Sequence, residues 1–298
     1  MADAKQVVLV TGSSTGFGKL IAEALARKGY RVFATMRNIA GKNAKAAQEV
    51  KELAEKEKIA IEAVEMDVTD DASVQRGVDE VIRRAGRIDV VVNNAGYAPV
   101  GLLEAMPVDQ VQRLFNTNVF GALRVNRAVL PQMHKQHSGL LIAVSSGAGR
   151  LIFPGYVAYC ASKFAMEAFT EGARYELGIA GIDSVSLQPG AYPTPIFSKT
   201  EYARDAARAD AYGPMKEVPG QIEKILASST ANPQEIADAV LVIIETPAGQ
   251  RETRYRVGTG VTGVENVNAA SKEAQKTLFE KFGLSEVTAF RKSSGASA

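Results

Sequence analysis

The chain has 298 residues, 46% of them hydrophobic and 23% charged, with a formal net charge of +2. That length suits one large α/β domain, and the balance is that of a globular protein rather than a disordered or fibrous one. Lys and Arg are scattered, which argues against a nucleic-acid partner; Cys160 stands alone, which excludes disulfides within the chain; and no apolar run reaches the ~18 residues of a membrane helix.

The start, Met1-Ala2-Asp3-Ala4-Lys5, lacks a signal peptide's apolar core, so a reducing, cytoplasmic setting is expected. Residues 6–10 read as a strand closed by Thr11-Gly12, and residues 17–28 have helical spacing with Leu20, Ile21, Ala24 and Leu25 on one side. A second strand over 31–36, an Ala/Glu/Lys-rich helix over 44–58 and a third strand over 59–66 follow. Thr69 or Asp70 can cap the next helix, in which Val74, Val78, Val81 and Ile82 recur at helical spacing. Ile88-Asp89-Val90-Val91-Val92 is nearly continuously apolar, as a strand buried on both faces should be.

Beyond it the pattern predicts a long helix over 107–137, a strand over 140–144, a helix over 156–177 and a strand over 184–187. Asn232-Pro233-Gln234-Glu235 then supplies a cap, a helix-compatible Pro and a capping acid ahead of Ile236, Val240 and Ile243. Tyr255-Arg256-Val257 is the last short strand. This alternation predicts a single-domain, doubly wound Rossmann-type α/β fold: a parallel sheet with helices on both faces. Residues 191–231 read as a movable, partly helical lid, and residues 259–298 as a C-terminal extension whose end, from Ser293, looks disordered.

Between the first strand and first helix lies Thr11-Gly12-Ser13-Ser14-Thr15-Gly16-Phe17-Gly18. Glycines there allow a tight turn and close backbone approach, and a helix N-terminus presents unpaired N–H groups and a positive dipole end to phosphates. The spacing differs from the common G-x-G-x-x-G. No acid stands between Arg31 and Asn38 to grip a ribose 2′-hydroxyl, whereas Arg37 can pair with a 2′-phosphate, so NADP(H) is favoured over NAD(H). Further on, Tyr159-Cys160-Ala161-Ser162-Lys163 sets a phenol and an ammonium one helical turn apart.

With these residues in place, the chain resembles the short-chain dehydrogenase/reductase family over about residues 5–257. Its landmarks occur in the family's order: the 11–18 turn, Asp67-Val68, Asn93-Asn94-Ala95-Gly96, Asn118-Val119-Phe120-Gly121, Ser145-Ser146, Tyr159-x-x-x-Lys163 and Pro189-Gly190. The stretches 32–37 and 159–165 look most like the subgroup containing 17β-hydroxysteroid and retinol dehydrogenases. The resemblance implies Tyr159 as general acid/base, Ser146 as the substrate-orienting serine, Lys163 on the nicotinamide ribose and Asn118 beside a relay water. It implies a cofactor site of Gly12, Ser14, Thr15, Gly16, Phe17, Gly18, Arg37, Asp67, Val68, Asn94, Ala95, Gly96, Pro189, Gly190 and Thr194. Tyr192, followed by Pro193, departs from the Val or Ile usual there and is placed beside the nicotinamide.

Hydride transfer between nicotinamide and a ketone or secondary alcohol is the reaction implied, with a homodimer or homotetramer as the usual assembly. An NAD-dependent alcohol dehydrogenase and a non-catalytic redox sensor are the alternatives. Lys163 and the positive charge of oxidised nicotinamide are together expected to lower the pKa of Tyr159. With no Cys–His cluster there is no case for a metal site; His134 and His137 read as solvated, and Cys160 as a small buried residue. Tyr192, Phe197, Tyr202, Tyr212 and Met215 of the lid, with Val100, Leu102, Phe153 and Tyr156, suit either a bulky apolar carbonyl substrate or the packing of the lid onto its own body.

Overall fold

Odd and even residues of a strand point to opposite faces of a sheet, so an unbroken apolar strand can feed two cores at once. In the computed structural model, which describes residues 6–194, 200–260 and 262–291, the first strand does this. In β1 (Val7–Val10), Val8 and Val10 enter one core while Val7 and Leu9 enter the other.

The remaining strands are β2 (Arg31–Met36), β3 (Ile61–Glu65), β4 (Val90–Asn93), β5 (Gly139–Val144), β6 (Ile182–Pro189) and β7 (Arg254–Val257). They form a seven-stranded sheet in the order β3-β2-β1-β4-β5-β6-β7, and every pairing is parallel. The helices are α1 (Gly16–Arg27), α2 (Ala44–Glu57), α3 (Asp71–Ala85), α4 (Val108–Phe115), α5 (Gly121–Gln136), α6 (Val157–Leu177), α7 (Val218–Ala227), α8 (Gln234–Glu245) and α9 (Val264–Phe282). Residues of α1, α2 and α8 share the core of Val8 and Val10, and those of α3 and α5 share the core of Val7 and Leu9. This is the doubly wound Rossmann-type arrangement. The chain leaves β1 toward β2 on one side and resumes at β4 on the other, so the carboxyl ends of β1 and β4 border the switch-point crevice.

Asp70 is the cap of α3, accepting from the Ser73 N–H at 2.5 Å. The helix expected over 107–137 is interrupted: α4 and α5 are separated by a five-residue π turn, Asn116–Phe120. Helix α9, which periodicity did not pick out, anchors the extension. Its Asn268 amide donates to Gln188 Oε1 at 2.7 Å, and Phe279 meets Tyr175 edge-on at 4.7 Å between centroids. Within residues 191–231, expected as a lid, a 3-10 stretch, Ala206–Glu217, precedes α7. Phe197 and Lys199 of the lid, and the tail from Ser293, lie outside the described residues.

The seam between α6 and β6 is polar although it is buried. Ser184 donates to the Thr170 carbonyl, Ser186 and Gln188 donate to the Glu167 carboxylate, and Arg254 bridges Glu167 and Glu171. At the far end Asp183, fully buried, takes Arg174 at 2.5 Å and Arg251 at 3.3 Å. Breaking one partner of such a buried cluster leaves charge without compensation. Asp183→Asn should therefore cost about 3–5 kcal/mol in urea unfolding. An unchanged unfolding midpoint would show that the two arginines do not depend on that carboxylate.

Candidate active site

The carboxyl ends of β1, β4, β5 and β6 open on a cleft of about 780 Å³. Its floor begins at the turn after β1, where Gly12 and Gly16 hold positive φ of 66° and 61°, a region that L side chains rarely enter. A Cβ on Gly18 would stand 2.4 Å from Asn94 Nδ2 and 2.5 Å from the Gly12 carbonyl oxygen, so α1 approaches β4 as closely as it does only with glycine there. Asn94 fastens the turn: its amide donates to the carbonyls of Thr11 and Gly12 at 2.9 and 3.2 Å. The Asn94 and Ala95 N–H groups donate in return to the Thr11 hydroxyl, each at 3.0 Å. Helix α1 starts at Thr15 without a side-chain cap and without an acid in its first turn, leaving its positive end toward the cleft.

Of the residues expected in a cofactor site, all line the cleft except Gly18, whose part is the close packing just described. Arg37, exposed at the end of β2, lines one end, and Lys42 lines it too. Lys42 was not singled out from the sequence; its signal is a second cation in the same short loop as Arg37. Asp67 and Val68 border this end, the Asp67 carboxylate accepting from both the N–H and the hydroxyl of Thr69. Tyr192 is almost wholly buried, edge-on to Phe17 at 5.6 Å, with its hydroxyl donating to Glu235 at 2.8 Å. Glu235, expected as a capping acid, thus has Tyr192 as its partner, and the Asn232 side chain accepts from the Gln234 N–H.

Ser146, Tyr159 and Lys163 meet at the other end of the cleft. Ser146 follows β5 and accepts from the Ala148 N–H at 3.1 Å, which aims it from the start of a short 3-10 turn. Tyr159 and Lys163 share a face of α6, and the Lys163 ammonium lies 5.8 Å from the centre of the Tyr159 ring. That ammonium donates to the Val144 carbonyl at 2.8 Å. Burial pushes the Tyr159 phenol up to about 12, against a lowering by the Ser146 hydroxyl. Burial likewise brings Lys163 down to about 8, with Glu167 working in the opposite direction. The expected lowering of Tyr159 is therefore not met in the chain by itself, where desolvation is the largest influence on each group, although Tyr159 is only half-buried at the cleft.

Asn118 does not line the cleft. It sits in the π turn, fully buried, its amide donating to the Tyr97 carbonyl and to Ser162 Oγ while its oxygen accepts from the Tyr97 N–H at 3.1 Å. Cys160 is buried, and the exposed His134 and His137 close α5. Among the described residues no helix is long and apolar enough to cross a membrane.

The family model described as short chain dehydrogenase matches residues 6–205. An uncharacterised oxidoreductase, YusZ, of Bacillus subtilis is 34% identical over 265 residues, 86% of this chain and 90% of that protein. Human retinol dehydrogenase 8 is 32% identical over 278 residues, covering 86% of this chain and 84% of its own length. A crystal structure of a short-chain dehydrogenase from Streptomyces avermitilis superposes with a TM-score of 0.76 at 31% identity, covering 94% of this chain and 98% of that one. The chain belongs to the short-chain dehydrogenase/reductase family of oxidoreductases, and within it is similar to the retinol dehydrogenases.

Proposed function

We propose that the protein is an NADP(H)-dependent oxidoreductase that interconverts a ketone and a secondary alcohol, with Tyr159 as general acid/base. The observation that carries this reading is the convergence of Ser146, Tyr159 and Lys163 on a cleft whose other end is a glycine turn against a helix N-terminus. The cradle fits a dinucleotide. Gly12 and Gly190 line it, and a Cβ on either would collide with neighbouring main chain, Ala95 Cα at 2.8 Å in one case and the Thr259 carbonyl oxygen at 2.1 Å in the other, so the cradle keeps its shape only with glycine there. A nicotinamide held beside Pro189 and Gly190 would supply or accept the hydride.

The chain's own residues do the rest. Ser146 donates to the substrate oxygen and polarises the carbonyl. Tyr159, kept in its neutral form by burial, hands its proton to the oxyanion that hydride addition leaves. Lys163 holds the ribose hydroxyls and keeps positive charge at the phenol's side. A relay of water past Asn118 would run along its main chain, because its amide is already engaged. Arg37 and Lys42 pair with a 2′-phosphate, where a carboxylate would have refused it. The same reading carries a single domain, a cytoplasmic setting and a homodimer or homotetramer.

Tyr159→Phe should lower kcat for the best ketone by about 10²–10⁴ while leaving NADPH binding in place. Wild-type turnover in that variant, followed by loss of NADPH absorbance, would reject the assignment. Replacing Arg37 and Lys42 together by Ala should weaken NADPH about tenfold or more, with NADH changed little, the loss expected for a charge-assisted hydrogen bond. Equal losses for both nucleotides would place the cations elsewhere in recognition.

The Lys163 shift has a definite sign. Its folded pKa, about 8, lies below the 10.5 of a lysine in the unfolded chain, so a buried charge penalises the fold below pH 8. Between those values the unfolded chain binds more protons, and stability rises with pH. The stability of wild type relative to Lys163→Met should therefore improve from pH 8 toward pH 10 in parallel denaturant titrations. A flat or falling difference would mean that Lys163 is not desolvated as described.

A further inference from the structure

Tyr156, just ahead of α6, carries a hydroxyl that forms no hydrogen bond although the residue is only 4% exposed. Its main chain is fixed: the N–H donates to the Phe153 carbonyl at 3.0 Å, and the carbonyl accepts from Cys160 N–H at 2.8 Å. Its surroundings are apolar. Val100, Ala148 and Cys160 are buried with it, and Phe153 together with Ile222 and Leu226 of α7 pack against that group. The charged and polar groups whose fields reach the phenol are Glu223 of α7, Tyr202, and Tyr159 of α6, and none of them is hydrogen-bonded to it. Glu223 already accepts from the Tyr202 hydroxyl, at 3.0 and 3.1 Å.

A buried hydroxyl without a partner costs about 1–3 kcal/mol, and phenylalanine fills the same shape without that cost. Tyr156, Phe153 and Leu226 line the same cleft as Tyr159, and Tyr156 precedes Tyr159 by one helical turn. A ligand with its carbonyl at Tyr159 therefore lays the next part of its body along Tyr156. We propose that this pocket takes a neutral carbonyl compound with an apolar body and a second hydrogen-bonding oxygen, and that this oxygen pairs with the Tyr156 hydroxyl. The inference rests on reading the cleft as a carbonyl-reducing site. It goes further by fixing a second functional group on the substrate.

The test uses two matched pairs of ligands: propiophenone with phenylpropanedione, and benzylacetone with its para-hydroxy counterpart. The first pair adds an oxygen near the carbonyl and the second adds one far from it. Ligand-induced changes in melting temperature, with and without NADP+, give apparent Kd values for wild type and Tyr156→Phe without requiring turnover. In at least one pair the oxygenated member should bind wild type about 5- to 20-fold tighter, the range for a hydrogen bond made by a buried group, and the gap should close in the variant. The free variant should melt no lower than wild type, because it sheds an unpaired polar atom.

A gap that persists in Tyr156→Phe, no gap in either pair, or no binding by any of the four overturns the proposal. So does a free variant that melts lower, since the hydroxyl would then have an internal partner. NADPH oxidation by wild type with the same compounds reports separately on the reductase reading. Discriminating binding without turnover would reject that reading and leave the pairing at Tyr156 standing.

Discussion

The reciprocal bonding of Thr11 with Asn94 is the contact on which the site depends. It joins the carboxyl ends of two strands that are adjacent in the sheet but 83 residues apart in sequence. Four hydrogen bonds link the Thr11-Gly12 segment to Asn94 and Ala95, so the first turn cannot drift from the segment that leads to Gly96. Gly18 packs against the same amide, which draws the start of α1 into the arrangement. Backbone groups aimed at an anion have catalytic value only when they are held still beforehand, and here the cost of holding them is met by bonds that need no ligand.

The opposite end of the cleft is built by a different device. Ser146, Tyr159 and Lys163 come from the end of β5 and from α6, Lys163 buried and the other two half-buried, so their setting is poor in water. Lys163 reaches a main-chain carbonyl of β5, which satisfies one of its three donors and ties helix to strand. Dryness raises the proton affinity of the phenol and lowers that of the ammonium, the reverse of what an exposed pair would do. The chemistry proposed needs the phenol neutral at rest, and burial secures that without a bound ligand. The two ends thus use complementary physics: fixed dipoles where phosphates would lie, and controlled desolvation where a proton would move.

Much of this was legible in the residues. Strand–helix alternation gave the order of the elements, and β2 coincides with the run over 31–36, whose residues from Val32 to Met36 are all buried between two charged arginines, Arg31 and Arg37. The glycine turn and the Tyr159–Lys163 spacing mark both ends of the cleft. The π turn escaped because five residues carrying one extra per turn leave apolar spacing almost unchanged. Helix α9 escaped because only Val264 of it is fully buried, so there is no apolar stripe to see. The direction of the Tyr159 shift escaped for a deeper reason: spacing reports which groups are neighbours, and desolvation depends on everything packed around them.

The polar seam between α6 and β6 has one more consequence. Along β6, Ser184, Ser186 and Gln188 alternate with Val185 and Leu187, and the two sets face different neighbours. Sliding β6 by one residue along β5 would turn the aliphatic set onto Glu167 and take the Ser186 and Gln188 hydrogen bonds from its carboxylate. An apolar seam would tolerate such a slip at the loss of some packing; this one would leave a buried carboxylate short of two of its donors. The carboxylate of Glu167 therefore acts as a key for alignment, and what it aligns is Pro189-Gly190, the step of chain that β6 delivers to the cleft.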